Sequence, residues 1–427
     1  MASNAPEAVE LESPGLAKLV RQMERNPNSL AAFWDEVEAT GAPLFEEFDP
    51  ETRTWLVTFV YRETEPLENV LLNEWIHNLD FPDKVMTHLD GTDIWYKSLR
   101  IVEGLRTQYC FAPNDSLVPK RDETDWEPRR AKWVPDPLNK TPLVRPESTD
   151  IERLRGQRDS VLELPGAPDQ PWIRIHEGIE RGEITHHRFA SDILGNERDI
   201  WLYVHPTVDR DQPAPLLVQF DGELFDEVLR TPTVLDNLTA AGEIAPMAAV
   251  FIGNVDRGEE LPCNPEFVSM MTRELLPFVT EKLEIEIVPE TTVANGVSYG
   301  GLAAMFAGLT APESFGMVAS QSGSFWWKPN PMSTSDIVGA TDEFSWLPEQ
   351  AAIWPRVDVC IWMEAGTLEG RGFMNVAPSL LDSNRHMRNV LRARGYEVEY
   401  QEYVGGHDFA HWRNSLGDAL IHLLGQK

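Results

Sequence analysis

The chain has 427 residues, 42% of them hydrophobic, and carries 69 Asp and Glu against 37 Lys and Arg, a formal charge of −32. This length points to two domains, and so negative a surface excludes nucleic acid and anionic membranes as partners at low salt. No apolar stretch approaches the ~20 residues of a membrane span, and the start Met1-Ala2-Ser3-Asn4-Ala5-Pro6-Glu7 lacks the basic and apolar regions of a signal peptide, so the expected location is cytoplasmic.

Residues 15–40 show a helical pattern with polar faces, including Leu16, Leu19, Val20, Met23, Phe33 and Trp34, within an amino-terminal helical segment taken as 1–50. The period then changes to two. Runs at 54–61, 69–72, 93–96 and 107–111, separated by turn signals such as Asp90-Gly91, predict a small β-sandwich over 51–115. Residues 116–172 are rich in Pro, Asp and Arg without a sustained period and read as a linker. From there, over 173–427, strands alternate with helices, the mark of an α/β layer architecture. Strands are expected at 198–204, 215–220, 247–252 and 357–363, and helices at 267–283, 375–394 and 412–424.

Within that region the run Thr291-Thr292-Val293-Ala294-Asn295-Gly296-Val297-Ser298-Tyr299-Gly300-Gly301-Leu302 is a β-branched strand, a G-x-S-x-G turn and a helix start. This is the nucleophile elbow of an α/β-hydrolase, with Ser298 in a strained turn and glycines at 296 and 300 letting strand and helix approach closely. The helix dipole points its positive end at the serine, where negative charge develops in acyl transfer. The predicted fold is therefore a three-layer α/β-hydrolase domain behind a β-sandwich.

Such a domain orders its triad Ser, acid, His along the chain. Four histidines follow Ser298: His386, His407, His411 and His422. His386 lies among arginines and His422 in an apolar helical run. His407 follows a strand end and Gly405-Gly406, the place for a base that must reach the elbow; His411, in the turn opening the next helix, is its rival. The acid belongs after the apolar run 357–363, where both Glu364 and Glu369 stand. Glu369, further into the loop, is preferred as acceptor of the His407 Nδ1–H, and Glu364 is expected to cap backbone amides. The Tyr299 amide and the Glu223 amide, in Asp221-Gly222-Glu223 after strand 215–220, are the expected oxyanion donors. Cys110, Cys263 and Cys360 match no zinc or redox spacing and read as reduced thiols. No His/Cys cluster suits a metal, and no cofactor is expected.

Beyond the elbow, the chain resembles the enterochelin esterases, cytoplasmic serine hydrolases that open ferric tris-catecholate siderophore trilactones. The segments carrying the likeness are Asp256-Arg257-Gly258-Glu259-Glu260-Leu261-Pro262-Cys263-Asn264, Ser320-Gln321-Ser322-Gly323-Ser324-Phe325-Trp326-Trp327, Glu364-Ala365-Gly366 with Glu369, and Gly405-Gly406-His407-Asp408. Asp90-Gly91-Thr92-Asp93-Ile94-Trp95 and Asp136-Pro137-Leu138-Asn139 extend it toward the amino terminus, so that it runs from about residue 55 to the end. The resemblance implies a catalytic Ser298, His407 and Glu369, a sandwich domain that helps cover the site, and a ferric catecholate siderophore as partner, the iron arriving only with the substrate. For such a substrate Arg257 is the candidate cation facing the anionic chelate, or else a surface salt-bridge partner, and Trp326 and Trp327 are candidate faces for catechol rings, or else core or domain-interface residues. Loop 328–356 and the strong acidity depart from the family pattern; the acidity reads as adaptation to high ionic strength, where screening is short-ranged. Two other readings remain: a carbohydrate or feruloyl ester hydrolase of the same fold, with Trp55, Trp75 and Trp95 as a sugar platform, and a siderophore-binding protein without catalysis.

Overall fold

Both faces of the central strand in the amino-terminal half are apolar, and this determines how that half is layered. In Thr54–Arg62 (β2), Val57 and Phe59 are fully buried and Val60 nearly so. Val60 packs with Leu16, Leu19, Trp34 and Val37 of the helices Pro14–Met23 and Ser29–Thr40. Phe59 turns the other way and meets Tyr109 edge-on, the ring centroids 5.0 Å apart. The computed structural model describes residues 11–74, 76, 81–119, 122–144, 156–329, 346–370 and 379–425.

These divide into two compact units, Met1–Leu143 with Arg158–Pro168, and Val144–Gln157 with Asp169–Lys427. The first is a sandwich of two four-stranded sheets. One orders Leu44–Asp49 (β1), β2, Ile94–Val102 (β5) and Thr87–His88 (β4). The other orders Val70–Glu74 (β3), Arg106–Pro113 (β6), Arg158–Glu163 (β8) and Pro142–Val144 (β7). Strand β1 belongs to the stretch expected to be helical, and β7 and β8 to the stretch expected to be linker. Their signal is weak for a physical reason. Strand β8 buries Asp159 and Ser160 beside Val161 and Leu162, and Ser160 Oγ accepts the Asp136 N–H at 2.9 Å, so the run is not patterned as apolar.

The second unit is built on an eight-stranded sheet. Its strands are Glu183–Ser191 (β9), Asn196–Val204 (β10), Leu216–Gln219 (β11), Ala248–Ile252 (β12), Thr292–Val297 (β13), Met317–Gln321 (β14), Cys360–Gly366 (β15) and Val398–Tyr403 (β16). Across the sheet they stand in the order β16-β15-β14-β13-β11-β12-β10-β9. Pairings among β11 to β16 are parallel; β10 is antiparallel to both β9 and β12. Parallel strands need both faces covered, and here they are. Leu216, Val218, Ala294 and Ile361 face one core with helices Tyr299–Thr310, Leu276–Leu283 and Leu380–Ala393. Leu217, Val293, Ala319 and Trp362 face the other, with Thr231–Ala241 and Phe409–Leu424. This is the three-layer α/β-hydrolase arrangement. Strands β11, β13, β15 and β16 run the same way, so the loops after them share one edge of the sheet.

Candidate active site

Strand β13 ends at Val297, and Ser298 follows at φ 58°, ψ −117°. A residue with a Cβ is strained there, by about 1–3 kcal/mol, so neighbouring structure must hold it. Three backbone bonds do so: Ser298 N–H donates to Gln321 O at 3.0 Å, and Ser298 O accepts from Leu302 N at 3.1 Å and Ser324 N at 3.0 Å. A Cβ added to Gly296 would lie 2.5 Å from the Gly300 carbonyl carbon, and one at Gly301 would lie 3.0 Å from Gly323 Cα. One at Gly300 would meet nothing nearer than Phe220 Cβ at 3.4 Å. The crowded glycines are therefore 296 and 301, not 296 and 300: the helix turns its 301 face, not its 300 face, onto the end of β14.

The loops after β15 and β16 are joined to each other. Thr367 N–H donates to Tyr403 O at 2.9 Å and Leu368 N–H to Gly405 O at 3.0 Å. This brings His407 Nδ1 to 2.8 Å from Glu369 Oε1. Glu369 is fully buried, and its other oxygen accepts the Gly366 N–H at 3.1 Å. The His407 ring stands edge-on to Trp412 at 4.7 Å, with its side chain 12% exposed. A buried carboxylate that fixes Nδ1–H leaves Nε2 as the basic nitrogen.

The rival histidine and glutamate also meet. His411 Nε2 lies 3.1 Å from Glu364 Oε2, while Glu364 Oε1 accepts from Ser415 Oγ at 2.6 Å and Gln321 Nε2 at 3.3 Å. Glu364 thus takes side-chain donors rather than capping amides. The His411 ring lies flat on Tyr403, 3.4 Å between centroids, and Tyr403 OH donates to Gly406 O at 2.9 Å. Burial, with Glu369 and Glu364 near, pushes the Tyr403 hydroxyl well above its ordinary range, so it stays protonated and can donate. His386 and His422 are exposed.

After β11, Asp221 takes a left-handed φ of 54° and leads into the short turn Gly222–Leu224 that carries the Glu223 amide. A Cβ on Gly222 would lie 2.6 Å from the Ile252 carbonyl carbon, so glycine is required by close approach. Asn254 ties the turn down: its backbone N–H and side-chain amide reach the Glu223 carboxylate at 2.7 and 3.1 Å, and the same amide donates to Asp221 Oδ1 at 3.0 Å.

Arg257, expected as a cation for an anionic ligand, is already matched: its Nε and Nη2 donate to the two Asp221 oxygens at 2.6 and 2.8 Å. The guanidinium lies 5.5 Å from the Tyr299 ring, which lies 5.9 Å from Trp326. Trp326 Nε1 is buried without a hydrogen-bond partner among the described residues. Trp327, by contrast, stands edge-on to Trp346 at 6.0 Å and packs against the core. The two tryptophans thus do different work. Of the sugar-platform residues, Trp95 is 8% exposed and donates to Glu63 at 2.7 Å, Trp55 rests on Phe48, and Trp75 lies outside the described residues. So does 330–345, most of the departing loop 328–356.

Asp221, Asn254 and Ser324 were not singled out by sequence reasoning. Ser324 lies inside the Q-S-G-S-F-W-W segment, and its Oγ is 3.3 Å from Ser298 Oγ. Among the described residues, no group of three or more His, Cys, Asp and Glu could hold a metal ion, and no helix is long and apolar enough to cross a membrane.

The strand order, the serine elbow and the His–Glu pair define an esterase of the α/β-hydrolase class. Residues 191–423 match the family described as putative esterases, and residues 56–173 match the enterochelin esterase amino-terminal family. The chain is 29% identical to the iron(III) enterobactin esterase of Dickeya dadantii over 92% of each protein. It is 30% identical to that of Escherichia coli O6:H1, over 86% of this chain and 90% of the relative. The enterobactin esterase of Shigella flexneri, crystallised in the presence of enterobactin, superimposes with a TM-score of 0.72 at 26% identity, covering 92% of this chain and 97% of that one. The chain belongs to the enterochelin esterase family.

Proposed function

We propose that this protein is a cytoplasmic serine esterase that hydrolyses the ester bonds of a ferric catecholate trilactone of the enterobactin type, with Ser298, His407 and Glu369 as its triad. The observation that carries this reading is the 2.8 Å contact of His407 Nδ1 with the buried Glu369 carboxylate, on the same sheet edge as the strained Ser298. Family membership supports the substrate class.

In this mechanism His407 Nε2 takes the Ser298 proton as Oγ bonds to the ester carbonyl carbon, and the carbonyl electrons move onto oxygen. The Tyr299 and Glu223 amides bind that oxyanion, Tyr299 from the first residue of the elbow helix and Glu223 from the turn tied down by Asn254. Collapse expels the serine hydroxyl of the trilactone, which takes the proton from His407. Water then attacks the acyl-enzyme by the same route and frees the acid. Iron passes through as part of the substrate. Of the aromatic residues, Trp326 and Tyr299 beside the elbow suit the catechol rings better than the core-packed Trp327. Arg257, neutralised by Asp221, serves this reading as a support for Tyr299 more than as a free cation.

The test is chromatography of products after incubation with ferric enterobactin at low and high salt. Linear trimer and smaller catecholoyl-serine fragments are expected. Intact trilactone alongside cleavage of a p-nitrophenyl ester would keep the esterase and discard this substrate. No cleavage of either would leave a siderophore-binding protein.

A further inference from the structure

We infer that Ser324 is a further catalytic residue: its hydroxyl donates to Ser298 Oγ and stabilises the negative charge that this oxygen carries while attacking and again while leaving. The inference rests on Ser298 being the nucleophile.

Ser324 is 1% exposed, and its Oγ lies 3.3 Å from Ser298 Oγ, its hydrogen-bond partner among the described residues. A buried hydroxyl has one hydrogen to place, and leaving it unplaced costs free energy. If Ser298 donated to Ser324, the Ser324 hydrogen would have no acceptor among the described residues and the nucleophile's proton would point away from its base. If Ser298 donates to His407, its lone pairs accept from Ser324 and both hydrogens are placed. The second arrangement is also the reactive one.

The position is built rather than incidental. Ser324 N–H donates to Ser298 O at 3.0 Å while Ser298 N–H donates to Gln321 O at 3.0 Å, so backbone bonds clamp the two segments on either side. Asn384 Nδ2 holds Gly323 O at 2.8 Å from behind. The alternate serines before it are committed elsewhere: Ser320 Oγ donates to Gly301 O at 2.9 Å, and Ser322 Oγ lies 3.2 Å from both Tyr403 OH and Trp412 Nε1. One short segment therefore fastens the elbow helix, the His407 side of the site and the nucleophile.

The separation is long for an O–H···O bond in the resting enzyme, where the acceptor is neutral. In acylation the Oγ–C bond forms as the proton passes to His407. In deacylation that bond breaks, the electron pair returns to Oγ, and His407 returns the proton. In both transition states Oγ is the more negative, so the Ser324 bond tightens when it counts and adds little to ground-state binding. Ser324 keeps its own proton throughout.

The experiment compares wild type with Ser324→Ala and Ser324→Cys, a near-isosteric weak donor. It reads fluorophosphonate labelling rates, pre-steady-state acylation and deacylation with p-nitrophenyl acetate, and thermal melting. Acylation and deacylation are both expected to slow by about 10- to 100-fold in the alanine variant, with less loss in the cysteine variant and KM within about twofold. If the alanine variant melts early, the cysteine variant carries the comparison. Wild-type rates of labelling and turnover in a folded Ser324 variant would overturn the inference, as would a change confined to KM. Mass spectrometry of the labelled wild type separates the two claims: an adduct away from Ser298 refutes the nucleophile itself, whereas an adduct on Ser298 at an unchanged rate refutes only the role of Ser324.

Discussion

Replacing Glu369 by Gln tests the proposed triad with almost no change of shape. The Glu369 carboxylate accepts two donors, His407 Nδ1–H at 2.8 Å through Oε1 and Gly366 N–H at 3.1 Å through Oε2. A carboxamide has one acceptor oxygen and one NH2. If the oxygen faces His407, the NH2 opposes the Gly366 N–H. If the oxygen keeps Gly366, the NH2 faces Nδ1, which must then accept, and the ring proton moves to Nε2. That nitrogen can no longer serve as base toward Ser298. The variant also loses the charge that steadies the imidazolium. Loss of the corresponding acid in a serine protease triad costs about 10⁴ in kcat through the same change of tautomer, so a fall of about 10³–10⁴ is expected here, equivalent to about 4–5.5 kcal/mol. The assay is steady-state hydrolysis of a p-nitrophenyl ester across pH, with thermal melting to show that the fold persists. Glu364→Gln, which disturbs the second pair, is expected to lose far less activity. A Glu369→Gln enzyme within tenfold of wild type, beside an inactive Glu364→Gln enzyme that still folds, would refute the reasoning and move the acid to Glu364.

Four further outcomes follow from the geometry. Gly296→Ala places a methyl 2.5 Å from backbone and should destabilise by about 3 kcal/mol, whereas Gly300→Ala, with 3.4 Å available, should stay within about 1 kcal/mol; thermal denaturation compares them. Arg257→Ala leaves the 1% exposed Asp221 side chain without its counter-ion and should cost about 3–5 kcal/mol, read from chemical denaturation. Hydrogen bonding to Arg385 holds the Glu402 carboxyl below its ordinary value, so this pair stabilises the fold above the usual carboxylate range and is lost as pH falls through the depressed value. Because the two side chains are 25% and 42% exposed, Glu402→Gln should cost at most about 1 kcal/mol at neutral pH, with the difference in melting temperature closing in acid. Finally, a charge of −32 should repel an anionic chelate; as the Debye length falls from about 30 Å at 0.01 M to about 3 Å at 1 M salt, kcat/KM for ferric enterobactin should rise while that for a neutral ester changes little.

What was legible in the sequence was what local chemistry encodes. A β-branched run, G-x-S-x-G and a small-residue helix place Ser298 without reference to the rest of the chain, and the observed φ of 58° is the strain which that pattern announces. The order of the remaining histidines and carboxylates narrowed the base and acid to two candidates each. The family motifs then extended the reading over most of the chain.

Spacing could not choose between those candidates, whereas the tertiary structure shows how each pair is engaged. Both histidines meet a glutamate, and what separates the pairs is which ring nitrogen is engaged: His407 gives Nδ1 to Glu369, whereas His411 gives Nε2 to Glu364. No spacing encodes that difference, because it depends on how two loops 38 positions apart cross at the sheet edge. The same limit applies to Arg257, whose charge was plain in the sequence but whose partner Asp221 lies 36 positions away. It applies to Ser324, 26 positions from Ser298, and to strand β8, whose buried Ser160 meets Asp136 only once the chain is folded. Periodicity reports the faces of one element at a time. Pairing between elements is decided when their buried faces are brought together, and in this protein the second layer of the site is made of such pairings.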